Sequence, residues 1–195
     1  MDPTVFTPAF TGNPALGLGM ARDPVTNAIV GGQRGYVNLG TIETDGVDMN
    51  VRTNFAFGAL GTLQNQLQVS YVRNFDVDNT GNQVGQSVGG ANGGGNPRWK
   101  AALGNAWSYG DLQFVWNLNY TDSVLNTAGN AQVGSWVTND LQVIYHAPWN
   151  GRLTVGVDNV GDVLPPLDGA LARGFDVANY DPYGRVPYIR YTQTF

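Results

Sequence analysis

The chain has 195 residues, of which 13% are charged, against about 25% in an ordinary soluble domain. With a net charge of −5 and 10 Lys and Arg residues, it offers no basic surface that could neutralise a phosphate backbone, so nucleic acid is not an expected partner. The absence of cysteine excludes disulfides, thiolate metal sites and a cysteine nucleophile, while 42% hydrophobic residues indicate a chain that folds.

Two segments of different character follow one another along the chain. Residues 1–35 are rich in Gly and Pro and are predicted to be a largely irregular loop segment, whereas 36–195 are predicted to form the β-barrel portion. In that second segment apolar and polar residues alternate with a period of two, which predicts antiparallel strands. Seven strands are predicted, the first with a bend at Gly46: 36–57, 63–74, 98–108, 112–121, 135–146, 152–159 and 186–195.

The connections between these strands alternate in length. Short turns are predicted at 58–62, 110–111 and 148–151, and long connections at 75–97, 122–134 and 160–185. Short turns at one rim and long loops at the other are typical of an up-and-down sheet.

The alternation separates an apolar face from a polar one. If the apolar face meets lipid, the lipid-facing residues include Leu67, Val69, Tyr71, Phe114, Trp116, Leu118, Leu141, Val143, Leu153 and Val155. The polar face carries Gln, Asn, Ser, Thr and Gly rather than many Lys and Glu, as expected in an enclosed wet lumen. Its charges are Asp48, Arg52, Lys100, Asp140, Arg152 and Asp158. They either form lumenal ion pairs and contact a plug, or line a substrate path.

Strand length and aromatic placement favour a membrane barrel over a soluble sandwich. Ten residues rising ~3.3 Å each and tilted ~45° cover about 23 Å, close to the apolar band of an outer-membrane barrel. The aromatics that gather near strand ends are Phe55, Phe57, Trp107, Tyr109, Tyr145 and Trp149 by the short turns, and Tyr71, Trp99, Tyr120 and Trp136 toward the long loops. Aromatic girdles of this kind mark membrane interfaces. The predicted fold is therefore all-β, an antiparallel up-and-down transmembrane β-barrel that is partial, because seven strands do not close comfortably.

Two alternatives remain open. One is a soluble secreted β-sandwich that binds glycans on aromatic platforms, which would remain monomeric without detergent. The other is a complete small barrel, which requires hydrogen bonds between 36–57 and 186–195.

Several sequence stretches resemble a known family. They are Tyr36-Val37-Asn38-Leu39-Gly40 followed by Thr44-Asp45-Gly46-Val47-Asp48, then Asp158-Asn159-Val160-Gly161-Asp162 before Pro165-Pro166, Tyr180-Asp181-Pro182-Tyr183-Gly184-Arg185, and the closing strand from Val186 to Phe195. In this order and spacing, residues from about 20 to 195 resemble the C-terminal part of a TonB-dependent outer-membrane receptor.

The resemblance implies a fragment of a transporter of the bacterial outer membrane, not an enzyme. Such receptors are barrels of about 22 strands that import siderophores, vitamins or oligosaccharides. It implies as partners the outer-membrane lipid, a missing N-terminal barrel and plug, the TonB system and the barrel-assembly machinery. That machinery would recognise Tyr191 and Phe195 in the last strand. The ligand loops would be 1–35, 76–96, 122–134 and 160–185, without individual contacts assigned. Met1-Asp2-Pro3 does not open a signal peptide, so one is also expected to be missing.

Motifs that could carry chemistry are weak in this sequence, and we expect no cofactor, metal site or catalytic residue. His146 is the only histidine and cannot assemble a typical zinc site alone. Residues 76–82 are similar to a calcium loop, but position twelve is Ser87 rather than a bidentate Glu, so a solvated loop is favoured. The Gly-rich run at 89–96 has no phosphate-loop Lys and is predicted to be a loop tip.

Overall fold

The computed structural model describes residues 19–22, 25–26, 28–33, 41–77, 81–87, 96–126 and 128–195. The chain divides into two units, Met1–Gly40 and Thr41–Phe195. In the first unit, strands β1 (Gly19–Arg22) and β2 (Ile29–Gln33) pair antiparallel. These two strands were not predicted from the sequence, and most of the segment 1–35 lies outside the described residues.

A seven-stranded antiparallel sheet forms the body of the second unit. Its strands are β3 (Ile42–Ala56), β4 (Thr62–Val77), β5 (Trp99–Tyr109), β6 (Leu112–Thr121), β9 (Trp136–Ala147), β10 (Gly151–Asp158) and β11 (Val186–Gln193), in the spatial order β11-β10-β9-β6-β5-β4-β3. Each strand pairs with its predecessor in this series, so the sheet is up-and-down as predicted. The first predicted strand began at 36, and residues 36–40 lie outside the described part of the chain.

The sheet is open. In the described residues β3 pairs only with β4 and β11 pairs only with β10. The complete small barrel required these two outer strands to pair with each other, and they do not. The fold is therefore an antiparallel, partial β-barrel, as the sequence predicted.

The predicted bend at Gly46 is a β-bulge. The register between β3 and β4 shifts between Asp45 and Gly46, which pair with Asn74 and Val72. Arg73 is therefore the extra residue, and its guanidinium pairs with the carboxylate of Asp45. Gly46 is required here because a Cβ at this position would collide with the carbonyl oxygen of Tyr71.

The long connections carry structure that the alternation pattern did not predict. Strands β7 (Val124–Leu125) and β8 (Gln132–Val133) form a small hairpin in the loop after β6. Gln86 forms a parallel bridge to Leu125, so the loop after β4 joins this hairpin. We call the described loop residues 81–87, 122–126, 128–133 and 160–185 the loop cap.

Much of the buried core lies in this loop cap rather than beneath the sheet. Val124 is 1% exposed, Val133 3% and Tyr180 4%. The carboxylates of Asp168 and Asp176 are also buried there, and their oxygens accept hydrogen bonds from the backbone N–H groups of Ala170 and Ala178. In the described residues no helix is long and apolar enough to cross a membrane.

Candidate functional surfaces: an apolar face and a polar furrow

The strand register sorts the predicted site residues onto two opposite faces. Val143 pairs with Phe114 and Val155, and Leu141 pairs with Trp116, so the apolar residues form one continuous row across the sheet. By the same register all ten residues predicted to face lipid lie on this face. The six predicted lumen-facing charges all lie on the other face.

The apolar face is not covered. Leu141 is 44% exposed, Phe114 40% and Val143 40%, and in the described part of Thr41–Phe195 no second sheet packs over them. A sandwich would bury these side chains between two sheets. A continuous exposed apolar face of this kind marks a surface that interacts with another protein or with a membrane.

Polar side chains on the apolar face have partners within the sheet. The Asn65 side chain donates to Thr53 Oγ1 at 3.3 Å, and the Asn105 side chain donates to the Trp116 carbonyl oxygen at 3.4 Å. The Trp116 indole N–H donates to Asn139 Oδ1 at 3.0 Å. These bonds lower the cost of placing amides in a medium without water.

The aromatic residues near the strand ends form contacts at both rims, with one correction. Tyr71 and Trp99 have ring centroids 4.4 Å apart near the long connections, and Trp107 and Phe114 are 5.6 Å apart near the short turns. Trp136, which was predicted to belong to an aromatic girdle, lies on the polar face because it is in phase with Thr138 and Asp140. Its ring packs edge-to-face against Tyr180 of the loop cap, with centroids 5.7 Å apart.

A furrow runs along the polar face above β5. The residues of β5 on this face are small, namely Ala102, Gly104 and Ala106. Gln residues of β4 form one wall, and asparagines of β6 contribute to the other: Gln64, Gln66 and Gln68, and Asn117 and Asn119. Since small side chains lie between longer ones, the middle strand becomes the floor of a groove.

Three cavities follow this furrow toward the long connections. The first, about 410 Å³, is near the short turns and includes Gln66 and Asn117 in its lining. The second, about 260 Å³, shares both of these residues and also touches Asn119 and Asp140. The third, about 540 Å³, shares Asn119 and Asp140 and ends at the mouth of the furrow. The shared lining makes them one continuous path.

Most of the described contacts of the lumen-facing charges are to neutral groups. Asp48 accepts from Ser70 Oγ at 2.6 Å, and Lys100 Nζ donates to Asn179 Oδ1 at 2.8 Å. Asp140 accepts from the Asn119 side chain at 3.1 Å and from the Asn159 backbone N–H at 2.8 Å. Among the described residues none of the six charges takes part in an ion pair, and their contacts with a plug stay a prediction.

Tyr180 is the buried centre of the last loop. Its hydroxyl oxygen is buried and has no hydrogen-bond partner among the described residues. Burial, and then the negative charges of Asp176 and Asp122, raise the pKa of Tyr180 to about 12.

Asn179, next to Tyr180 in sequence, links Lys100 on the sheet to Asp176 in the loop. Its side-chain oxygen accepts from Lys100, and its side-chain N–H donates to Asp176 Oδ2 at 2.9 Å. The loop is therefore fixed to the polar face of β5.

Of the remaining predicted motifs, the Gly-rich run at 89–96 lies outside the described residues except at Asn96. Tyr191 lies on the apolar face, and its hydroxyl accepts from the Trp149 indole N–H at 3.2 Å. Phe195 is fully exposed. In the stretch similar to a calcium loop, the Asp76 and Asn82 side-chain oxygens accept from the chain's own backbone N–H groups.

An open antiparallel sheet with an uncovered apolar face and an amide-lined polar face is the architecture of a membrane β-barrel portion. The family model described as TonB dependent receptor-like, beta-barrel matches residues 6–160, and the chain belongs to this family. The family is one of outer-membrane receptors and transporters. Because the match ends at residue 160, it does not cover β11 or the rest of the loop that precedes β11. No curated protein and no solved structure matches the chain.

Proposed function

We propose that this chain lies in the outer membrane of a bacterial cell and forms part of a receptor barrel that imports a scarce ligand, a siderophore, a vitamin or an oligosaccharide. The uncovered apolar face carries this proposal, since hydrocarbon is the environment that removes such a surface from water. The polar face and its furrow then line the lumen. The loop cap lies on the outer side, where the ligand arrives.

The strand lengths suit this placement. β6 has 10 residues and β9 has 12. At ~3.3 Å per residue and a ~45° tilt, ten residues cover about 23 Å, which matches an apolar band of about 25 Å.

The free edges of the sheet indicate what would complete the barrel. Because each neighbour in the seven-stranded sheet is antiparallel, the two edge strands β3 and β11 run in the same direction. Closure by antiparallel pairs alone therefore needs an odd number of further strands. We propose that these come from the N-terminal part of the same receptor, and that a plug contacts the polar face and connects it to the TonB system.

Cell fractionation tests the outer-membrane placement. The full chain, exported with a cleavable signal sequence in a Gram-negative host, should float with outer-membrane vesicles in a sucrose gradient and stay there after a urea wash. Aggregates sink in the same gradient, so flotation separates insertion from precipitation. Recovery of the chain as a soluble periplasmic monomer would contradict the proposal.

A second experiment tests the proposed recognition of the last strand. Deleting Phe195 should lower the amount of chain in the outer membrane several-fold, because the barrel-assembly machinery would lose its terminal aromatic contact. Phe195 is fully exposed, so its removal should not change the stability of the folded sheet. Thr194→Ala is the control and should assemble normally. Unchanged assembly of the deletion variant would argue against this role.

A further inference from the structure

Three polar residues interrupt the apolar face that the proposed function places in hydrocarbon. Asn65 of β4 pairs with Thr53 of β3 and with Asn105 of β5. We call these three residues the polar row. Asn65 alternates with Leu63 and Leu67, so the register places the whole row on the outer, apolar face. Polar groups at membrane depth are costly and usually have a function, which makes the row a candidate interaction site.

The polar row lies inside the apolar band rather than at its border. Thr53 is three residues from the end of β3, and Asn65 is three residues from the beginning of β4. Asn105 is four residues from the end of β5. At ~3.3 Å per residue and a ~45° tilt, the row is about 7–9 Å from the short-turn rim. Phe55 and Trp107 lie between the row and this rim, so the row is deeper than the aromatic girdle.

The sheet satisfies only part of the hydrogen-bonding capacity of the two amides. Asn65 donates one bond to Thr53 Oγ1, and Asn105 donates one bond to the Trp116 carbonyl oxygen. The carbonyl oxygens of both amides and their second N–H groups bond to no described residue. Lipid tails neither donate nor accept hydrogen bonds, so hydrocarbon would leave these groups unsatisfied. A partner that supplies both donors and acceptors at this depth would satisfy them.

The polar row is accessible from outside the sheet. Asn65 and Asn105 are half-buried, and Thr53 is exposed. A cavity of about 460 Å³ lies beside Asn105, and its lining includes Trp107 and Trp116. Completing the barrel would add a strand beside β3 but would leave the outer face of β4 and β5 uncovered. A partner in the membrane can therefore reach both amides.

A second copy of the same chain meets these requirements by symmetry. Two copies inserted in the same direction hold each residue at the same depth, so a two-fold axis along the membrane normal brings the same surface of both copies together. Amides are self-complementary, because the N–H of one donates to the carbonyl oxygen of the other. Hydrogen bonds between polar side chains hold neighbouring polypeptides together within membranes. Two convex barrel walls touch along a narrow strip, and the row occupies three adjacent strands.

We propose that the polar row is the contact between two copies of this chain in the outer membrane. Asn65 and Asn105 bond to their counterparts across a two-fold axis that passes between β4 and β5. This inference rests on the proposed function, because the amides require a polypeptide partner only where hydrocarbon covers the face.

Disulfide cross-linking tests this contact, and the chain contains no cysteine that would interfere. Leu103→Cys places a thiol on the outer face of β5 and retains both amides. Leu141→Cys is the matched control, because both leucines lie on the outer face, six residues from the short-turn end of their strands at Tyr109 and Ala147. A disulfide requires Cα atoms within about 7 Å of each other. Leu103 is two strand spacings or about 10 Å from β3, so association through the free edge of the sheet would not link it.

The measurement is the yield of cross-linked dimer after outer-membrane vesicles that carry the full chain are oxidised with copper phenanthroline. Leu103→Cys should give at least about tenfold more dimer than Leu141→Cys, at twice the chain mass of 20.9 kDa. Adding Asn65→Leu and Asn105→Leu should lower this yield at least about tenfold. Equal yields from the two cysteine variants would overturn the inference, as would a yield that the leucines leave unchanged. A product that joins the chain to a different protein would overturn it as well.

Flotation of the same variants separates the two proposals. The variant with both leucines should still float with the vesicles, because leucine suits a lipid-facing position better than asparagine. If it no longer inserts, the amides serve the fold of the sheet, and the inference is overturned. If Leu103→Cys inserts but gives no dimer, only the inference of a second copy fails. If the parent chain does not insert, the proposed function fails and the inference fails with it.

Discussion

Replacing Leu141 with arginine is expected to destabilise the membrane-inserted sheet by about 2–4 kcal/mol, the cost of a cationic side chain on the lipid face at mid-depth. Leu141 lies near the middle of β9 and is 44% exposed. On a water-exposed surface the same replacement would usually change stability by no more than about 0.5 kcal/mol. The size of the effect therefore reports which medium covers the apolar face.

The matched control for this variant is Asn117→Arg. Asn117 lies at the same depth on the polar face, where it pairs with Asp140, the neighbour of Leu141 in sequence. An arginine there would lie next to a carboxylate and should change stability little. The measurement is urea unfolding of each variant in lipid vesicles, followed by tryptophan fluorescence. Equal effects of the two replacements would show that lipid does not distinguish the two faces.

The strands could be predicted from the sequence because alternation reports directly which side chains share a face. Val137, Leu141 and Val143 predicted a strand at 135–146, and β9 spans Trp136–Ala147. The bend at Gly46 was predicted for a similar reason, since a glycine inside a strand marks a bulge or a close backbone approach.

The loop cap could not be predicted in this way, because its residues follow no period. Its hairpin of β7 and β8 and the burial of Val124 depend on contacts between loops that are distant in sequence. Trp136 shows the limit within a strand: phase with Thr138 placed it on the polar face, but its aromatic character suggested a membrane girdle. Only the loop containing Tyr180 explains its position, since the two rings pack together.

The furrow could be predicted from the sequence only in part. The small residues Ala102, Gly104 and Ala106 alternate visibly in the sequence. Their meaning depends on the register, which places glutamines on one side of them and asparagines on the other. The sequence of β5 alone therefore predicts the small residues of the floor, but not the polar residues that form the walls.

Tyr180→Ala is expected to destabilise the loop cap by about 3–5 kcal/mol, as for other buried aromatic truncations, whereas Tyr180→Phe should be neutral or stabilising. Tyr180 is 4% exposed and its ring packs on Trp136, so alanine leaves a cavity. Phenylalanine keeps the ring and removes only a buried hydroxyl that has no partner among the described residues. Guanidinium unfolding near neutral pH measures both differences, and a large loss with phenylalanine would show that the hydroxyl has a partner after all.

The parent chain and Tyr180→Phe should also differ in stability in alkaline solution. The pKa of Tyr180 rises from its ordinary value of 10.0 to about 12 on folding, so the unfolded chain ionises first. The stability that depends on the neutral hydroxyl is fully present below pH 10 and is lost as the pH rises toward 12. At about pH 11 the parent chain should therefore have lost stability relative to Tyr180→Phe, which has no hydroxyl to ionise. A stability difference between the two proteins that stays constant from neutral pH to this range would contradict the burial of the hydroxyl.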